Sequence, residues 1–121
     1  MSEPVPRLRN VLHPVSDVSA AASYYSAALG LPVKFVDGDR YAALDAGGVT
    51  LALVGVQEDV TGGVAAASFS VASLSDTIDR VRDSGGTVLQ PPHRGPHEIR
   101  AVVEDPWGNV FVLYEPIDHK D

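Results

Sequence analysis

Glu115 is the side chain in this sequence with the clearest potential for chemistry. It ends the apolar stretch NVFVLYE, at the point where a predicted strand stops. A carboxylate there can accept hydrogen bonds from a cationic or hydroxylated ligand, or act as a general base if it is desolvated. The alternative is a solvated charge at a strand end, because most glutamates are exposed. Glu115 is therefore the candidate catalytic residue and also a candidate ligand-binding residue.

A second group of candidates lies in PPHRGPHEIR, the least regular stretch of the sequence, which is predicted to form a loop that leads into the strand EIRAVVED. It brings two histidines and two arginines together in a chain whose net charge is -7. A loop of this kind beside a binding cleft can bind an anionic or aromatic ligand, and His97 can serve as an acid or base near neutral pH. His97 and Arg100 are thus candidate ligand-binding residues. The alternative is a surface loop stiffened by proline.

Asn10, Leu12 and Trp107 complete the set of candidate ligand-binding residues. Asn10 and Leu12 share one face of the first predicted strand, so Asn10 can present its amide to a ligand unless that amide is satisfied within the structure. His13 is on the opposite face of the strand from Asn10, so it is predicted to point toward the first helix and to be a hydrogen-bonded histidine. Trp107 lies in a turn, where an exposed ring can stack on a ligand, pack across a dimer or cover the end of a sheet.

The elements that must position these residues occur twice. Residues 8–15 predict a strand, the following stretch predicts an amphipathic helix with Asp17 as its N-cap, and three further strands come next. The second half repeats this order: an offset of 56 residues aligns the strand and helix, and an offset of 60 aligns the last strands. The pattern predicts two βαβββ modules.

These modules cover about residues 8–55 and 65–116, and a polar, glycine-bearing connector at 56–64 joins them. Each sheet is covered by its helix on one face, so the uncovered faces are expected to form a ligand cleft. The charged tail DHKD, which includes His119, is predicted to be disordered.

Composition limits the possible partners and the location of the protein. With 121 residues, 45% of them hydrophobic, the chain is expected to form one compact domain. A net charge of -7 repels phosphate backbones and anionic lipids, which excludes nucleic acids and membranes as expected partners. Cysteine is absent, and the start MSEPVPRLR does not have the pattern of a secretory signal. A cytoplasmic protein is the expectation.

The stretches VSDVSAAASYYSAALGLPV and VEDPWGNVFVLYE resemble the vicinal oxygen chelate superfamily, which includes glyoxalase I, extradiol dioxygenases, and bleomycin and fosfomycin resistance proteins. The resemblance covers roughly residues 8–116. It implies an α+β fold in which two βαβββ modules form a curved, open, barrel-like mixed sheet, and it implies a homodimer. In that family an aspartate-proline-x-glycine turn precedes the last strand, whose glutamate is often a metal ligand. Asp105, Pro106, Gly108 and Glu115 match this pattern.

Metal-binding members of the family place four ligands symmetrically, on the first and last strands of each module. Those positions map to Asn10, Gly55, Ala66 and Glu115. Only Glu115 has a side chain typical of such ligands, and one carboxylate does not hold a transition metal. We therefore expect no bound metal and no cofactor.

The resemblance and the missing ligands together predict a metal-independent small-molecule-binding protein of the glyoxalase/bleomycin resistance type. Its ligand is expected to be apolar or aromatic, and the acidity of the chain favours cationic molecules by electrostatic steering. One alternative is a lyase, isomerase or dioxygenase that uses atypical metal ligands or metal-free acid-base chemistry at Glu115. Another is a non-catalytic subunit or regulator. Whether the protein is an enzyme stays open at this stage.

Overall fold

The computed structural model describes residues 5–117, so His119 and the rest of the charged tail lie outside the described part. The first module consists of β1 (Arg7–Pro14), α1 (Val18–Leu29), β2 (Val33–Asp37), β3 (Tyr41–Asp45) and β4 (Thr50–Val54). A short 3-10 helix, Val56–Glu58, follows. The second module consists of β5 (Ala66–Ser70), α2 (Leu74–Asp83), β6 (Thr87–Arg94), β7 (Glu98–Glu104) and β8 (Val110–Pro116). The prediction of an α+β chain with two βαβββ modules is confirmed.

The chain divides into two compact units, one formed by residues 9–66 and the other by residues 67–117 with the first described residues, 5–8. In the first unit the strands are ordered β2-β3-β4-β1, and in the second they are ordered β5-β8-β7-β6. The first and last strands of each module are parallel neighbours, and the other pairs are antiparallel. Within the described residues, no helix is long and apolar enough to cross a membrane.

Each helix is held by a side-chain cap and by an apolar cluster beneath it. The carboxylate of Asp17 accepts the N–H of Ala20 at 3.0 Å, which confirms the predicted cap, and Gly30 ends α1 with a φ of 72°. The hydroxyl of Ser73 accepts the N–H of Asp76 at the start of α2. The cluster in the first unit contains Val18, Ala22, Ala42, Leu44, Leu51 and Leu53. The cluster in the second contains Val71, Leu74, Ile78, Ala101, Val103 and Leu113.

The stretch PPHRGPHEIR is only partly the loop that the sequence predicted. Its first four residues extend β6, which corrects the prediction, whereas its last three begin β7, as predicted for EIRAVVED. Pro91 and Pro92 are tolerated because β6 is an edge strand. Its pairing with β7 also shifts register twice, after Val88 and after Gln90. A strand at a sheet edge tolerates residues that cannot donate to the ladder. Arg100 is therefore fixed by the sheet, and His97 lies in the connecting turn.

A carboxylate organises the connector between the modules. Asp59 accepts hydrogen bonds from the N–H of Thr61 at 2.9 Å, the hydroxyl of Thr61 at 3.0 Å and the N–H of Gly63 at 2.7 Å. Burial alone would raise the pKa of Asp59, but these hydrogen bonds outweigh it and hold the pKa below the ordinary value of 3.8. The connector is thus a structured loop closed by one side chain.

Gly55, which follows β4, lies where two backbone segments meet. Its N–H donates to the carbonyl oxygen of Arg40 at 2.8 Å. A Cβ at this position would collide with the carbonyl oxygen of Asp39 and would lie 3.2 Å from that of Arg40. Because both obstacles are backbone atoms, a side chain cannot be accommodated by a change of rotamer.

We expect Gly55→Ala to lower the free energy of unfolding by about 1–3 kcal/mol, as overpacking does in a closely packed interior. The loss should exceed the roughly 0.4–1 kcal/mol that alanine gains by restricting the unfolded chain. Urea denaturation followed by circular dichroism measures it. Gly95→Ala is the matched control, because the nearest atom to its added Cβ is at 3.6 Å. Equal stability of the two variants would contradict the assignment.

Candidate functional site

Alternation along the strands gives each sheet one face packed against the helix of its own unit and one face turned away from it. The helix-covered faces carry the two apolar clusters described above. We call the opposite surfaces the helix-free faces. Each candidate residue on a strand can be assigned to one face from its position.

Asn10 and Leu12 lie on the helix-free face of the first unit and are half-buried. Strand register places Asn10 opposite Thr50, and Leu12 opposite Ala52. The row that begins at Leu12 continues across the sheet through Ala52, Ala43 and Phe35. It is apolar throughout.

An aromatic pair borders this row. The ring of Phe35 stacks on the ring of Tyr41 with centroids 5.7 Å apart and planes 26° from parallel. Phe35 is 54% exposed, whereas Ala43 and Ala52 beside it are buried. The helix-free face of the first unit therefore presents an exposed ring beside small apolar residues.

His13 lies on the helix-covered face, as strand parity predicted. Its Nδ1 is 3.3 Å from the hydroxyl of Tyr25 on α1, and the two rings meet edge to face. The prediction that His13 is a hydrogen-bonded histidine on the helix side is confirmed.

Glu115 also lies on the helix-covered face, together with Phe111 and Leu113 of β8. Its Oε1 accepts the N–H of Leu74 at 2.8 Å. Leu74 is the first residue of α2, where backbone N–H groups have no partner within the helix, and a negative charge there interacts favourably with the helix dipole. The structure thus gives Glu115 a partner at the start of α2; its catalytic and ligand-binding roles stay predictions.

Arg100 lies on the helix-free face of the second unit. Register places it between Tyr114 of β8 and His93 of β6, and Tyr114 in turn pairs with Ser70 of β5. We call these four residues, Ser70, Tyr114, Arg100 and His93, the polar row. Glu98, two residues before Arg100, places Oε2 3.9 Å from Nη1 of Arg100.

Sequence reasoning missed Ser70 and Tyr114 as candidates and left His93 as a loop residue. Alternation from Arg100 and Tyr114 would have placed both on one face, but their pairing could not be read from the sequence. It depends on the two register shifts in β6 and on the parallel contact of β5 with β8.

His97 and Trp107 lie in turns rather than on a sheet face. His97 is exposed between β6 and β7, and its carbonyl oxygen accepts the N–H of Ile117 at 3.0 Å. Trp107 is 83% exposed in the turn before β8. The structure therefore does not bring these two side chains into the polar row.

Asp105 organises the turn that carries Trp107. Its Oδ1 accepts the N–H groups of Trp107 and Asn109, and its Oδ2 accepts the side-chain amide of Asn109, each at 2.9 Å. The side chain of Asn109, followed by its backbone N–H, holds the pKa of Asp105 below the ordinary value of 3.8. Gly108 supports the turn with a φ of 90°, which favours glycine.

Two open grooves lie beside the helices, on the covered side of the sheets. One, of about 510 Å³, runs between α1 and β2 and is lined by small and β-branched residues such as Ala22, Ser26 and Val36. The other, of about 310 Å³, lies between α2 and the turn at Asp105 and Pro106. The candidate residues chosen from the sequence do not line these two grooves.

A model of the Glyoxalase/Bleomycin resistance protein/Dioxygenase superfamily matches residues 7–113 of this chain. The chain belongs to that superfamily. A relative, an uncharacterized protein of Mycolicibacterium smegmatis, is 37% identical over 89 residues, which are 74% of this chain and 77% of the relative.

Solved structures of superfamily proteins share this fold. A superfamily member from Vibrio splendidus has a TM-score of 0.71 at 20% identity, covering 92% of this chain and 99% of that one. A variant of methylmalonyl-CoA epimerase from Streptomyces coelicolor, in complex with 2-nitronate-propionyl-CoA, has a TM-score of 0.71 at 20% identity, covering 93% and 98%. The fold expected from the resemblance is thus confirmed.

The residues at the four expected ligand positions of this superfamily do not fit a transition metal. Gly55 has no space for a side chain, and Ala66 is buried without a donor. Glu115 is bound to the start of α2, and on the helix-free face β8 offers Val110, Val112 and Tyr114 instead of a carboxylate. Within residues 5–117, no group of three or more His, Cys, Asp or Glu side chains could hold a metal ion.

We expect Glu115→Ala to lower the free energy of unfolding by about 1–2 kcal/mol, because the half-buried N–H of Leu74 loses its acceptor. Glu115→Gln should lose less, since an amide oxygen still accepts that hydrogen bond. Urea denaturation at pH 7 measures both. Glu58→Ala, which removes an exposed ion pair with Arg40, is the control and should change stability by less than about 0.5 kcal/mol. A loss no larger than that of the control would argue against the capping role.

The lowered pKa of Asp105 makes the turn before β8 sensitive to acid. Because the native pKa lies below that of the unfolded chain, Asp105 stabilises the fold above about pH 4, and this contribution disappears as the pH falls through the native pKa. Asp105→Asn should therefore lose less stability than the wild type between about pH 5 and pH 2. Denaturation across that range measures the difference. Asp79→Asn, at an exposed position of α2, should follow the wild type; a shared curve for all three proteins would refute the prediction.

Proposed function

We propose that this protein binds a small apolar or aromatic molecule on the helix-free face of its first unit, without a catalytic metal. In this proposal it belongs to the binding branch of the superfamily, to which bleomycin resistance proteins belong. Superfamily membership sets the fold, and the side chains on the helix-free face set the ligand.

The observation that carries the proposal is the exposed ring of Phe35, which stacks on the half-buried ring of Tyr41 beside buried Ala43 and Ala52. A single exposed apolar side chain is ordinary, but adjoining apolar side chains on one face are typical of a binding surface. The buried residues Ala43 and Ala52 join Phe35 to Leu12 in one row of the sheet. An aromatic ligand stacked on Phe35 would remove apolar area from water on both partners.

The absence of a fitting donor set supports the metal-independent form of the proposal. A chelate mechanism needs several nitrogen or carboxylate ligands on one site. Of the four superfamily positions, Gly55 and Ala66 have no donor side chain, Asn10 has only a neutral amide oxygen, and Glu115 is bound to the start of α2. A metal-free acid-base mechanism at Glu115 would have to use a carboxylate that lies on the helix-covered face and already accepts the N–H of Leu74, so binding is the function the geometry supports best.

Similar structures support the use of this fold for organic ligands. The Streptomyces coelicolor epimerase with the same fold is in complex with 2-nitronate-propionyl-CoA. We place the ligand of the present protein on the helix-free face of its first unit because the stacked rings of Phe35 and Tyr41 lie there.

The experiment is a titration with indole, a neutral aromatic probe, followed by the melting temperature and by amide chemical shifts of ¹⁵N-labelled protein. We expect saturable shifts in β2 and β3 and a higher melting temperature, because a ligand that binds only the native state stabilises it. Both should be unchanged by EDTA. Phe35→Ala should weaken binding about fivefold to tenfold, the loss of one aromatic contact.

Tyr24→Ala is the matched control, because Tyr24 is also an exposed ring, 63% accessible, but lies on α1. It should bind indole as the wild type does. Loss of binding in EDTA together with about one metal ion per chain would overturn metal independence. Binding that is insensitive to Phe35→Ala would overturn the proposed location.

A further inference from the structure

We infer that the polar row on the helix-free face of the second unit binds an oxyanion, the carboxylate or phosphate of a small organic molecule. The inference goes beyond the proposed function, because the polar row belongs to the second unit and the inference is argued from the residues of that unit alone. The residues that carry it are Ser70, Tyr114, Arg100 and His93.

The row is fixed by strand register. Arg100 lies directly across from Tyr114 in the antiparallel pair of β7 and β8, and across from His93 in the pair of β6 and β7. Ser70 lies beside Tyr114 in the parallel pair of β5 and β8. Neighbouring strands are about 4.8 Å apart, so four adjacent side chains span roughly 14 Å on one surface. That distance suits a small ligand.

Each member of the row can donate a hydrogen bond to an oxyanion. The guanidinium of Arg100 is a planar fork that matches the two oxygens of a carboxylate or phosphate. The hydroxyls of Tyr114 and Ser70 and an imidazole N–H of His93 are further donors. Among residues 5–117, no hydrogen bond is recorded for the hydroxyl of Tyr114 or of Ser70, so both are available.

The partner that Arg100 already has is weak. Glu98 is 3.9 Å away, which is longer than a hydrogen bond, and both side chains are more than a third exposed. Exposed pairs of this kind contribute little stability, so a ligand oxyanion can replace Glu98 without a large loss. Glu98 is also the carboxylate that competes with an anionic ligand at this place.

The neighbouring row strengthens the site because it is buried. Val112 and Val102, next to Tyr114 and Arg100 along their strands, are 1% and 2% exposed, and Ser68 is 4% exposed. A charge pair with water excluded from one side is attracted more strongly than a pair in bulk solvent. The polar row thus combines one guanidinium, that of Arg100, with three further hydrogen-bond donors in a chain of net charge -7.

The test compares four probes by ¹⁵N chemical-shift titration: benzyl alcohol, benzoate, phenyl phosphate and inorganic phosphate. We expect benzoate or phenyl phosphate to bind about tenfold more tightly than benzyl alcohol, with the largest shifts at Ser70, Arg100 and Tyr114. Benzoate that binds as tightly as phenyl phosphate, despite its smaller charge, would identify a carboxylate site, whereas binding of both phosphates without benzoate would identify a phosphate site. Benzyl alcohol as tight as both aromatic anions would overturn the inference and leave the proposed function intact.

Variants localise the anion. Arg100→Gln should abolish the advantage of the anionic probes, whereas Arg82→Gln, on the exposed surface of α2, should retain it. Glu98→Gln removes the competing carboxylate and should tighten the binding of benzoate by about twofold to threefold. This second variant provides a test even if Arg100→Gln does not fold. An anion advantage that survives in Arg100→Gln, or no gain in Glu98→Gln, would overturn the assignment to this row.

Failure of the proposed function gives a different result. Inorganic phosphate that binds at the polar row while neither indole nor benzyl alcohol shifts any amide would support the anion site and refute the apolar site. No binding by any probe would refute both.

Discussion

The packing of one helix against one face of each sheet is the constraint on which the rest of this structure depends. It requires most of the alternate strand residues that face the helix to be apolar, and it places no such requirement on the residues of the opposite face. Val18 and Ala22 of α1 and Leu74 and Ile78 of α2 anchor this arrangement. Glu115 belongs to the covered side and joins β8 to the start of α2, so the same constraint also decides what that carboxylate contacts.

The number of elements and the helix caps could be predicted from the sequence, because they depend on local patterns. Asp17 before an apolar stripe and the repeated strand-helix order are such patterns. The face on which Glu115 lies could not be predicted in the same way. From Val110 to Leu113 every residue of β8 is apolar, so alternation gives no sign of which side is covered. Only the contact of Phe111 and Leu113 with α2 resolves it.

The polar row could not be predicted from the sequence for a related reason. Its members come from four strands, and their alignment depends on register shifts in β6 that no pattern in PPHRGPHEIR indicates. Two prolines in that stretch are typical of a loop, but proline is also tolerated in an edge strand, where the N–H that it lacks is not needed for pairing. Arg100 was chosen from the sequence because of its charge, whereas Tyr114 and Ser70 become neighbours only through pairing between strands.

Comparison of the two modules shows where they have diverged in chemistry. The polar row of the second module occupies the same strand positions as Pro14, Val54, Tyr41 and Asp37 in the first. The next row is Ser68, Val112, Val102 and Gln90 in the second module, and Leu12, Ala52, Ala43 and Phe35 in the first. The covered faces of both modules contain an apolar cluster, because each must pack under a helix. The helix-free faces have no such requirement, so the apolar row of the first module and the polar row of the second are differences that folding does not demand. Ligand recognition can therefore explain why the side chains on the helix-free faces differ between the two modules.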